Sequence, residues 1–484
     1  MPAQDACGVF GVWAPGEQVS KLSYFGLYAL QHRGQESAGI AVSDGSRILV
    51  YREMGLVAQV FNESTLESLR GHIAIGHTRY STTGNSNWEN AQPTFRTTAS
   101  GHIALAHNGN LVNTAELIKS IKNDAANRGE LLSSDDEIIR AGVSDTEVIT
   151  SLLASSPDLP IESIALEILP KLEGAFSLVF MDEQTLFAAR DRHGIRPLVL
   201  GRLESGWVVA SETAALDIIG ASYVREVDPG ELIAIDEHGL RSSRFAKTSQ
   251  RTCVFEYVYL ARPDTLISGK NVNAARVEVG KTLAREAPAL ADLVIPVPES
   301  GTPAAIGYAT ESGIPFAQGL VKNSYVGRTF IEPSQSIRQI GIRLKLNPLR
   351  EIIAGKSLVV VDDSIVRGNT QRAIVRMLRE AGATQVHVRI ASPPVQWPCF
   401  LGVDFATKSQ LIAAGLDISE IKQAIGADSL AYVSMEGLVS STNLPKQKLC
   451  RACFDGDYPV DPPEALMHES PLLELEVLTP VHHE

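Results

Sequence analysis

Short alternating apolar segments, separated by glycine-rich turns, recur from Cys7 to about residue 240. Alternation with a period of two places successive side chains on opposite faces, so each segment predicts a half-buried β-strand. The segments are H-I-A-I from His72, H-I-A-L from His102, A-F-S-L-V-F from Ala175, W-V-V-A from Trp207 and E-L-I-A-I from Glu231. Helices are predicted near Ser20–Leu30 and Asp145–Ala154, where they would cover the sheets. This half is therefore predicted to be a layered α+β domain.

The pattern changes after the polar stretch Arg241–Gln250, which predicts a linker. Continuous apolar runs then begin at Leu293 (L-V-I-P-V), Ser357 (S-L-V-V-V) and Val386 (V-H-V-R-I-A). Helical segments follow these runs, and an amphipathic helix is predicted over Gln371–Ala381, ended by a glycine. Buried strands that alternate with helices are typical of a parallel, doubly wound sheet. The second half is therefore predicted to be an α/β domain.

The chain of 484 residues is long enough for two or three domains, since a domain contains roughly 100–200 residues. Residues 7–240 and 251–458 are predicted to form two domains, joined by the linker 241–250. The segment 452–484 has eight acidic residues, five prolines and no Lys or Arg. Residues 459–484 are therefore predicted to form a loosely attached acidic tail.

Composition narrows the class of protein further. Hydrophobic residues make up 44% of the chain and charged residues 20%, as in globular proteins. A net charge of −13 argues against a general binder of nucleic acids or membrane surfaces. The sequence shows no apolar run near the roughly 18–20 residues that span a bilayer, and no signal peptide. We therefore expect a cytoplasmic protein whose five cysteines serve catalysis or metal binding rather than disulfides.

Cys7 stands in C-G-V-F-G and could open a strand with its side chain at an edge. Taken alone, it is more simply interpreted as a buried, inert cysteine. Five motifs follow it in order: Q-H-R-G-Q-E-S-A-G-I from Gln31, G-H-T-R-Y-S-T-T-G from Gly76, H-N-G-N-L-V-N from His107, S-D-T-E from Ser144 and A-R-D-R-H-G-I-R-P-L from Ala189. Together they resemble the class II glutamine amidotransferase domain over Cys7–Leu240. The resemblance implies an N-terminal-nucleophile hydrolase with four layers, αββα.

The resemblance makes Cys7 the nucleophile that attacks the side-chain amide of glutamine. As the first residue of a mature chain, a cysteine carries its own α-amine, with a pKa of about 7.7–8.0, as a proton acceptor. This implies that residues 1–6 are a propeptide, removed when Cys7 attacks the preceding carbonyl group.

Other residues of these motifs acquire roles by the same resemblance. Asn108 and the backbone N–H of Gly109 would form the oxyanion hole. Arg79 would bind the α-carboxylate of glutamine and Asp145 its α-ammonium group. The alternative for these two residues is that they are ordinary surface charges. Two further residues, Arg33 and Thr82, would have supporting roles.

Motifs in the second half indicate phosphate chemistry. The run V-V-V-D-D-S-I-V-R-G-N-T, Val359–Thr370, places two carboxylates at the end of a buried strand, followed by a small-residue loop and a helix. Backbone N–H groups of such a loop and helix bind phosphate, and the hydroxyls of Ser364 and Thr370 add donors. The carboxylates of Asp362 and Asp363 suit ribose hydroxyls and Mg²⁺, which prefers oxygen ligands.

The same run closely resembles the phosphoribosyl-pyrophosphate (PRPP) motif of type I phosphoribosyltransferases. The PRPP contacts it implies are Asp362, Asp363, Ser364, Arg367, Gly368, Asn369 and Thr370. Asn369 stands where related amidotransferases usually have Thr, so we expect a modest local change there. The segment P-V-P-E-S-G-T-P-A-A from Pro296 resembles the pyrophosphate loop. Its Ser300 would join the two carboxylates around Mg²⁺.

A basic segment, Lys322–Arg350, lies between the two loops. It has six basic residues against one acid, Glu332, in an acidic chain. A solvated charged face is the usual explanation for such a segment. However, K-N-S-Y-V-G-R-T-F from Lys322 resembles the mobile loop of the family and predicts a lid that closes over PRPP. Lys322 and Arg328 are the expected phosphate contacts.

The order of the two halves resembles one family over almost the whole chain, the glutamine PRPP amidotransferases. The resemblance implies that glutamine, PRPP and water give 5-phosphoribosylamine, glutamate and pyrophosphate, which opens purine synthesis. Ammonia would pass between the sites along a path that excludes water. The resemblance also implies a homo-oligomer and feedback inhibition by purine nucleotides.

Two alternatives belong to other classes. The chain could be another class II amidotransferase, such as a glucosamine-phosphate or asparagine synthase, but the loop Asp362–Thr370 argues against this because neither enzyme uses PRPP. It could also be a non-enzymatic PRPP sensor, as in some purine repressors. The glutaminase half would then have no use, and the negative charge disfavours DNA binding.

Four cysteines remain in or beside the second half: Cys253, Cys399, Cys450 and Cys453. Four thiolates suit zinc about as well as an iron–sulfur cluster, and four unrelated buried cysteines are the alternative. The surrounding sequences C-V-F-E-Y-V-Y-L-A-R-P-D, S-P-P-V-Q-W-P-C-F-L-G-V-D and C-R-A-C-F-D-G resemble the cluster-bearing branch of the family. The resemblance implies a structural [4Fe–4S] cluster that ties the carboxy-terminal segment to the phosphoribosyltransferase domain.

Overall fold

A computed structural model of the chain describes residues 7–80, 88–98, 101–127, 144–155, 159–323, 345–403, 405 and 407–462, without the side chains of 123–127. Within these ranges, none of the helices combines the length and the apolar character needed to cross a bilayer. The predicted propeptide, most of the predicted acidic tail, Thr82 and Arg328 lie outside the described residues.

The amino-terminal half contains two antiparallel sheets. In chain order, its described strands are β1 (Gly8–Trp13), β2 (Ser37–Ser43), β3 (Ile48–Met54), β4 (Ile73–Arg79), β5 (Thr94–Thr98), β6 (Gly101–Leu111), β7 (Gly174–Met181), β8 (Leu186–Arg190), β9 (Val199–Arg202), β10 (Trp207–Ala210), β11 (Ser222–Glu226), β12 (Glu231–Asp236) and β13 (Gly239–Arg244). The first sheet has the order β11-β9-β10-β1-β4-β2-β3 and the second the order β13-β12-β8-β7-β6-β5. The strands predicted from the alternating segments are confirmed as β4, β6, β7, β10 and β12.

Helices cover the outer faces of these two sheets. They are α1 (Val19–Ala29), α2 (Val57–Val60), α3 (Glu63–Ser68), α4 (Thr114–Asn127), α5 (Asp145–Leu153), α6 (Ile161–Ile168) and α7 (Ala214–Asp217). On β1, Phe10 packs in the core beneath α1, whereas Val9 packs between the sheets. On β7, Leu178 packs in the core beneath α5 and α6, whereas Val179 faces the first sheet. The alternation therefore produces the four αββα layers that the sequence predicts.

The carboxy-terminal half is built on a parallel sheet. Its described strands are β14 (Thr252–Cys253), β15 (Leu266–Ile267), β16 (Lys270–Asn271), β17 (Leu293–Pro296), β18 (Leu320–Lys322), β19 (Leu346–Pro348), β20 (Ser357–Asp362), β21 (Gln385–Ile390), β22 (Ser429–Tyr432) and β23 (Leu449–Cys450). The parallel sheet has the order β17-β20-β21-β22. Alternate residues of β20 pack in two different cores, with Val360 in one and Val361 in the other. A continuous apolar run is needed because both faces of this sheet are buried.

Helices alternate with the strands of the parallel sheet. They are α8 (Val272–Glu286), α9 (Thr302–Ser312), α10 (Arg350–Ile353), α11 (Asn369–Glu380), α12 (Ile412–Gly415), α13 (Ile418–Ile425), α14 (Met435–Ser441) and α15 (Ala452–Asp455). The loop after β17 leads into α9, and the loop after β20 leads into α11. These loops leave neighbouring parallel strands at the same edge, where the Val297 N–H donates to the Val361 carbonyl oxygen at 2.8 Å. The predicted doubly wound sheet is confirmed, and it brings the two predicted phosphate loops together.

The two halves meet along the chain that follows β13. The first residues of the predicted linker 241–250 belong to β13 itself. Strand β14 then pairs in parallel with β23, which places Cys253 beside Cys450. The Cys253 N–H also donates to the carbonyl oxygen of Ile195 in the first half, at 3.2 Å. A π-helical turn, Glu256–Leu260, follows directly. This stretch therefore packs against both halves.

Candidate active sites

Cys7 lies at the amino end of β1, where three strands of the first sheet come together. Strand β1 pairs with β4, and Arg79 at the end of β4 pairs with Ser37 at the start of β2. The Cys7 residue is 8% exposed, and its Sγ–H donates to the Tyr80 carbonyl oxygen at 3.4 Å. The strand order therefore brings the thiol to the end of β4.

Charged side chains surround this thiol. Burial raises the pKa of Cys7, while the Arg79 charge opposes the rise. Asp145 and Glu36 raise the pKa further. Arg79 is itself 5% exposed, with Nη1 3.6 Å from Glu36 Oε2. Both predicted glutamine ligands, Arg79 and Asp145, therefore lie within electrostatic range of the sulfur and are not surface charges.

Asn108 and Gly109 lie on β6, which packs across from β1 and β4. Asn108 is fully buried, and neither its Nδ2 nor its Oδ1 has a hydrogen-bond partner among the described residues. Gly109 has a φ of 153°, and a Cβ atom there would lie 2.0 Å from the Ala175 carbonyl oxygen. An unpaired buried amide costs about 1–3 kcal/mol. The hydrogen-bonding groups of the Asn108 side chain are therefore available to a polar ligand, which the described residues do not supply.

Asp145, the first residue of α5, is held as a carboxylate. Its Oδ2 accepts from the Leu111 N–H at 3.1 Å and lies 3.6 Å from His107 Nδ1. Its Oδ1 accepts from the Thr146 N–H at 2.8 Å. Burial alone would raise the pKa of Asp145, but His107 and these two N–H groups lower it. The negative charge near Cys7 is therefore maintained, as binding of an ammonium group requires.

Asp362 and Asp363, at the end of β20, form a buried acid pair that is 7% and 5% exposed. The Asp363 N–H donates to Asp362 Oδ1 at 2.9 Å, and Gln371 at the start of α11 donates to Asp362 Oδ2. The Ser364 hydroxyl donates to Asp363 Oδ1 at 2.5 Å. Ser300, from the loop after β17, lines the same small cavity as Asp363 and acts to lower its pKa. The two predicted phosphate loops therefore meet at the acid pair.

The charge of this acid pair is poorly balanced by its surroundings. Burial raises the pKa of Asp362, and the charge of Asp363 raises it further. Burial also raises the pKa of Asp363, while Ser300, Ser364 and the charge of Arg276 oppose the rise. Ser300, Asp363 and Arg276 line a small cavity beside the acid pair. Two adjacent buried carboxylates suit a hard divalent cation.

The other predicted PRPP ligands occupy the turn between β20 and α11. Gly368 is the N-cap of α11 with a φ of 78°, and a Cβ atom there would lie 2.6 Å from Ile412 Cδ1. Arg367 and Thr370 are half-buried, whereas Asn369 is exposed. The turn therefore keeps polar side chains close to the acid pair and accessible from solvent.

Lys322 is the described end of the predicted lid. It ends β18, is exposed, and places its Nζ 3.5 Å from Glu299 Oε2. Glu299 belongs to the loop after β17, so Lys322 lies beside the predicted pyrophosphate loop. The predicted lid residue Arg328 lies outside the described residues.

The four remaining cysteines gather at one apolar core of the second half, and none forms a disulfide. Burial raises the pKa of Cys453, and Cys253, Cys399 and Cys450 raise it further. The described residues contain no group of three or more His, Cys, Asp or Glu side chains placed to hold a metal ion. The four thiols are therefore neighbours, but their spacing is not that of ligands around one ion.

Three buried residues of these sites were not found by sequence reasoning: His107, Glu212 and Glu256. His107 faces Asp145, whereas both glutamates accept hydrogen bonds from Arg33. For Glu256, the available sequence signal was a glutamate within an apolar segment, V-F-E-Y-V-Y-L. Such a glutamate is rarely buried without a cationic partner.

Both halves of the chain match known families. Residues 77–217 match the glutamine amidotransferase domain, and residues 274–392 match the phosphoribosyl transferase domain. The chain is 61% identical over 467 residues to the amidophosphoribosyltransferase of Mycobacterium tuberculosis, which covers 95% of this chain and 87% of that protein. It is 51% identical over 482 residues to that of Synechococcus elongatus, with 97% and 94% covered.

Solved structures match over the same length. The glutamine PRPP amidotransferase of Bacillus subtilis complexed with ADP and GMP is 45% identical, with a TM-score of 0.85 over 94% of this chain and 98% of that chain. A structure of the allosteric regulatory enzyme of purine biosynthesis gives a TM-score of 0.86 at 45% identity, covering 94% and 96%. The similarity includes both halves and the way they are joined.

Proposed function

The chain belongs to the amidophosphoribosyltransferase family, and we propose that it uses Cys7 as the glutaminase nucleophile and the Asp362–Asp363 pair at the PRPP site. Members of this family transfer ammonia from glutamine to PRPP in purine biosynthesis, giving 5-phosphoribosylamine, glutamate and pyrophosphate. One observation carries the residue assignment. The buried, unpartnered amide of Asn108 lies on a strand packed against the Cys7 strand, and Arg79 and Asp145 flank the thiol.

The Cys7 thiol needs a nearby base. Burial raises its pKa, so the group is protonated at neutral pH. An α-amine on the same residue, with a pKa of about 7.7–8.0, would accept the proton. Removal of residues 1–6 would create that amine. The thiolate then adds to the amide carbon of glutamine, ammonia leaves as the thioester forms, and water hydrolyses the thioester to glutamate.

Asn108 Nδ2 and the Gly109 N–H would stabilise the negative oxygen that develops during this attack. Gly109 has no Cβ atom because the Ala175 carbonyl oxygen of the paired strand occupies that position, and its positive φ suits glycine. The Arg79 guanidinium would bind the α-carboxylate of glutamine as a fork. Asp145, whose pKa is lowered, would bind the α-ammonium group.

The loops after β17 and β20 would bind PRPP. Ser364, Arg367 and Thr370 lie in or beside the turn that would hold its phosphate, and Asn369 stands at the start of α11. Asp362, Asp363 and Ser300 fit Mg²⁺, because two repelling buried carboxylates and a hydroxyl are hard oxygen donors. When bound, Mg²⁺ would offset their charge and that of the departing pyrophosphate. Lys322 would contribute a further positive charge, and Arg328 stays a prediction.

Ammonia must travel from Cys7 to PRPP without being protonated by water. The two halves meet at Cys7, where Arg33 donates to both the Cys7 carbonyl oxygen and Glu256 of the second half. Direct transfer inside the protein would keep ammonia away from solvent.

Cys253, Cys399, Cys450 and Cys453 would hold a [4Fe–4S] cluster. Four free thiols at one apolar core form a complete ligand set. Arg196 is buried within range of Cys253 and Cys399, where its charge would offset thiolates. Zinc is the alternative occupant of four thiolates, and iron and sulfide analysis distinguishes the two.

The cluster would be structural, because neither half-reaction moves electrons. Purification without oxygen, followed by iron and sulfide analysis, should give about four iron and four labile sulfide per chain. Exposure to air should release both and lower the activity. Zinc without sulfide, or no metal at all, would contradict the proposal.

An omission assay tests the overall reaction. Pyrophosphate release should require PRPP, Mg²⁺ and either glutamine or an ammonium salt, and it should stop when any one requirement is omitted. Failure of glutamine to support release would overturn the proposed function. The mass of the intact active chain should correspond to a start at Cys7, and a fully active enzyme that retains residues 1–6 would contradict processing.

Regulation and assembly are proposed from the family. The Bacillus subtilis structure with bound ADP and GMP supports inhibition of this chain by purine nucleotides. A homo-oligomer is proposed as well. The division into domains 7–240 and 251–458 is also a proposal, and the cytoplasmic location stays a prediction.

A further inference from the structure

Four buried charged side chains join the two halves: Arg33, Arg196, Glu212 and Glu256. Arg33 is 1% exposed and the other three are 0% exposed. Arg33 donates from Nη1 to Glu256 Oε2 at 3.0 Å and from Nη2 to Glu256 Oε1 at 2.9 Å. Its Nη1 also donates to Glu212 Oε1 at 2.5 Å, and Arg196 donates to Glu256 Oε1 at 3.1 Å. Two buried arginines therefore share two buried carboxylates, and Glu212 Oε1 also lies 2.7 Å from Nε2 of the partly exposed His32.

The same Arg33 side chain reaches the proposed nucleophile. Its Nε–H donates to the carbonyl oxygen of Cys7 at 3.1 Å. A bidentate carboxylate fixes the plane of a guanidinium as well as its charge. The main chain at Cys7 is therefore held by a side chain whose orientation is set by Glu256.

Glu256 comes from the opposite half of the molecule. It begins the π-helical turn that follows β14, whereas Arg33, Arg196 and Glu212 belong to the first half. Without Glu256, Arg33 would keep only the carboxylate of Glu212, and Arg196 would lose the carboxylate to which it donates. An unpaired buried charge is strongly unfavourable, so the arginines would shift towards solvent. Such a shift would remove the donor from the Cys7 carbonyl.

Stability alone does not explain this group. Apolar residues of similar volume often replace a buried ion pair without loss of stability. An apolar replacement for Arg33 would, however, leave the Cys7 carbonyl without its Nε–H donor. The contact with Cys7 thus favours a role in placing the nucleophile.

We propose that Glu256, contributed by the phosphoribosyltransferase half, is a positioning residue of the glutaminase. It orients Arg33, and Arg33 holds the main chain at Cys7 so that the thiol faces the glutamine amide. The inference rests on the proposed role of Cys7. On this proposal, the glutaminase half depends on the other half for the geometry of its site.

The test is the Glu256→Gln variant of the full-length enzyme, because glutamine keeps the shape of the side chain and removes its charge. The kcat for glutamine-dependent pyrophosphate release should fall about 10- to 100-fold, because small misplacements of a reacting group have effects of that size. The KM for glutamine should change less than about threefold, since Arg79 and Asp145 are untouched. The ammonia-dependent kcat should stay within about twofold, because that reaction does not use Cys7.

Glu231→Gln is the matched control. Glu231 is a carboxylate of the first half, 3% exposed, that accepts from Arg225 at 2.7 and 2.8 Å, and no contact joins it to Arg33 in the described structure. Its neutralisation should leave both rates within about twofold. Equal losses of the glutamine- and ammonia-dependent rates in Glu256→Gln would overturn the proposal, as would no loss of either.

Arg33→Lys provides a second variant if Glu256→Gln does not fold. Lysine keeps the charge but cannot donate to Cys7 and hold two carboxylates in one fixed plane. The same selective loss of glutamine-dependent kcat is expected, and unchanged rates would overturn the proposal.

Cys7→Ala distinguishes failure of this inference from failure of the proposed function. If Cys7→Ala retained glutamine-dependent release, Cys7 would not be the nucleophile and both would fail. If Cys7→Ala were inactive with glutamine but Glu256→Gln behaved as wild type, only the role of Glu256 would fail.

Discussion

The proposed glutaminase site and the proposed PRPP site each contain buried carboxylates, but their surroundings shift the carboxyl pKa in opposite directions. At Asp145, His107 and two backbone N–H groups overcome the effect of burial and lower the pKa. At Asp362, burial and the neighbouring Asp363 act together and raise it. One site therefore supplies the partners for its own charge, whereas the other lacks sufficient positive charge among the described residues.

This difference follows from where each site is built. The glutaminase site lies between two sheets, and both halves of the chain contribute to the contacts around Cys7. The PRPP site lies at the end of a parallel sheet, on loops that leave β17 and β20. We interpret the first as organised before its substrate binds, and the second as completed by cationic and phosphate ligands.

Asp362→Ala should have the largest effect and should separate the two sites. PRPP turnover should fall at least about 1000-fold with either glutamine or ammonia, because the ribose and metal would lose their support. Glutaminase activity, measured as glutamate release without PRPP, should survive weakly.

The control is Asp428→Ala on the same sheet. Asp428 accepts from the Val386 N–H at the opposite edge, away from the phosphate loops. Its loss should affect stability more than turnover. An unchanged ammonia-dependent rate in Asp362→Ala would mean that Val359–Thr370 is not the PRPP loop.

Asn108→Ala tests whether the glutaminase site is organised in advance. The glutamine-dependent kcat should fall about 10²- to 10³-fold, the usual effect of losing an oxyanion donor. Thermal stability should not fall, because the amide has no hydrogen-bond partner among the described residues and its burial is unfavourable.

Asn113→Ala is expected to show the reverse pattern. The Asn113 Nδ2–H donates to the Lys171 carbonyl oxygen, and Asn113 Oδ1 accepts from the Glu173 N–H. Loss of these hydrogen bonds should cost about 1 kcal/mol of stability and leave kcat unchanged. A stability loss in Asn108→Ala equal to that of Asn113→Ala would contradict the assignment of Asn108 Nδ2 as an oxyanion donor without a partner in the folded protein.

Asp362→Asn should have a smaller effect than the preceding variants, and this effect should be an increase in stability rather than a loss of activity. The folded-state pKa of Asp362 is raised, so above the ordinary pKa of about 3.9 the folded protein binds more protons than the unfolded chain. Stability without divalent cations should therefore fall as pH rises through that window. The Asp362→Asn side chain does not ionise, so the stability of this variant should not fall in this way. Its amide can also donate to Gln371 Oε1, which lacks a partner in the described structure.

Thermal melting in the presence of a chelator measures this effect. At pH 7 Asp362→Asn should melt about 2–4 °C higher than wild type, as expected for roughly 1 kcal/mol in a domain of this size. The difference should shrink towards pH 4, and Mg²⁺ should stabilise wild type more than the variant. A lower melting temperature for Asp362→Asn at pH 7 would contradict the charge imbalance.

Much of the fold could be predicted because strand and helix periodicity is local. The alternation around Ala175 gave β7, and the continuous run from Ser357 gave β20, each bounded within a few residues. The short pairing of β14 with β23 could not be predicted, because it joins positions nearly two hundred residues apart through two residues each.

The burial and grouping of candidate site residues could be predicted where one motif carries several of them in sequence. Asp362 and Asp363 stand together in one loop, and their burial follows from the strand before them. Glu256 had no such signal, since its partners Arg33 and Arg196 are distant along the chain and only the folded interface brings them together. His107 was missed for a similar reason, because its contact with Asp145 depends on how α5 packs against β6.

We propose that this chain carries two separable reactions and that Cys7 is needed only for the first. The most direct test compares pyrophosphate release by Cys7→Ala with glutamine and with an ammonium salt as the nitrogen source. Glutamine should no longer support release, whereas the ammonia-dependent rate should stay within about twofold of wild type, since that reaction bypasses the thiol. Retained glutamine-dependent release, or equal loss of both rates, would contradict it.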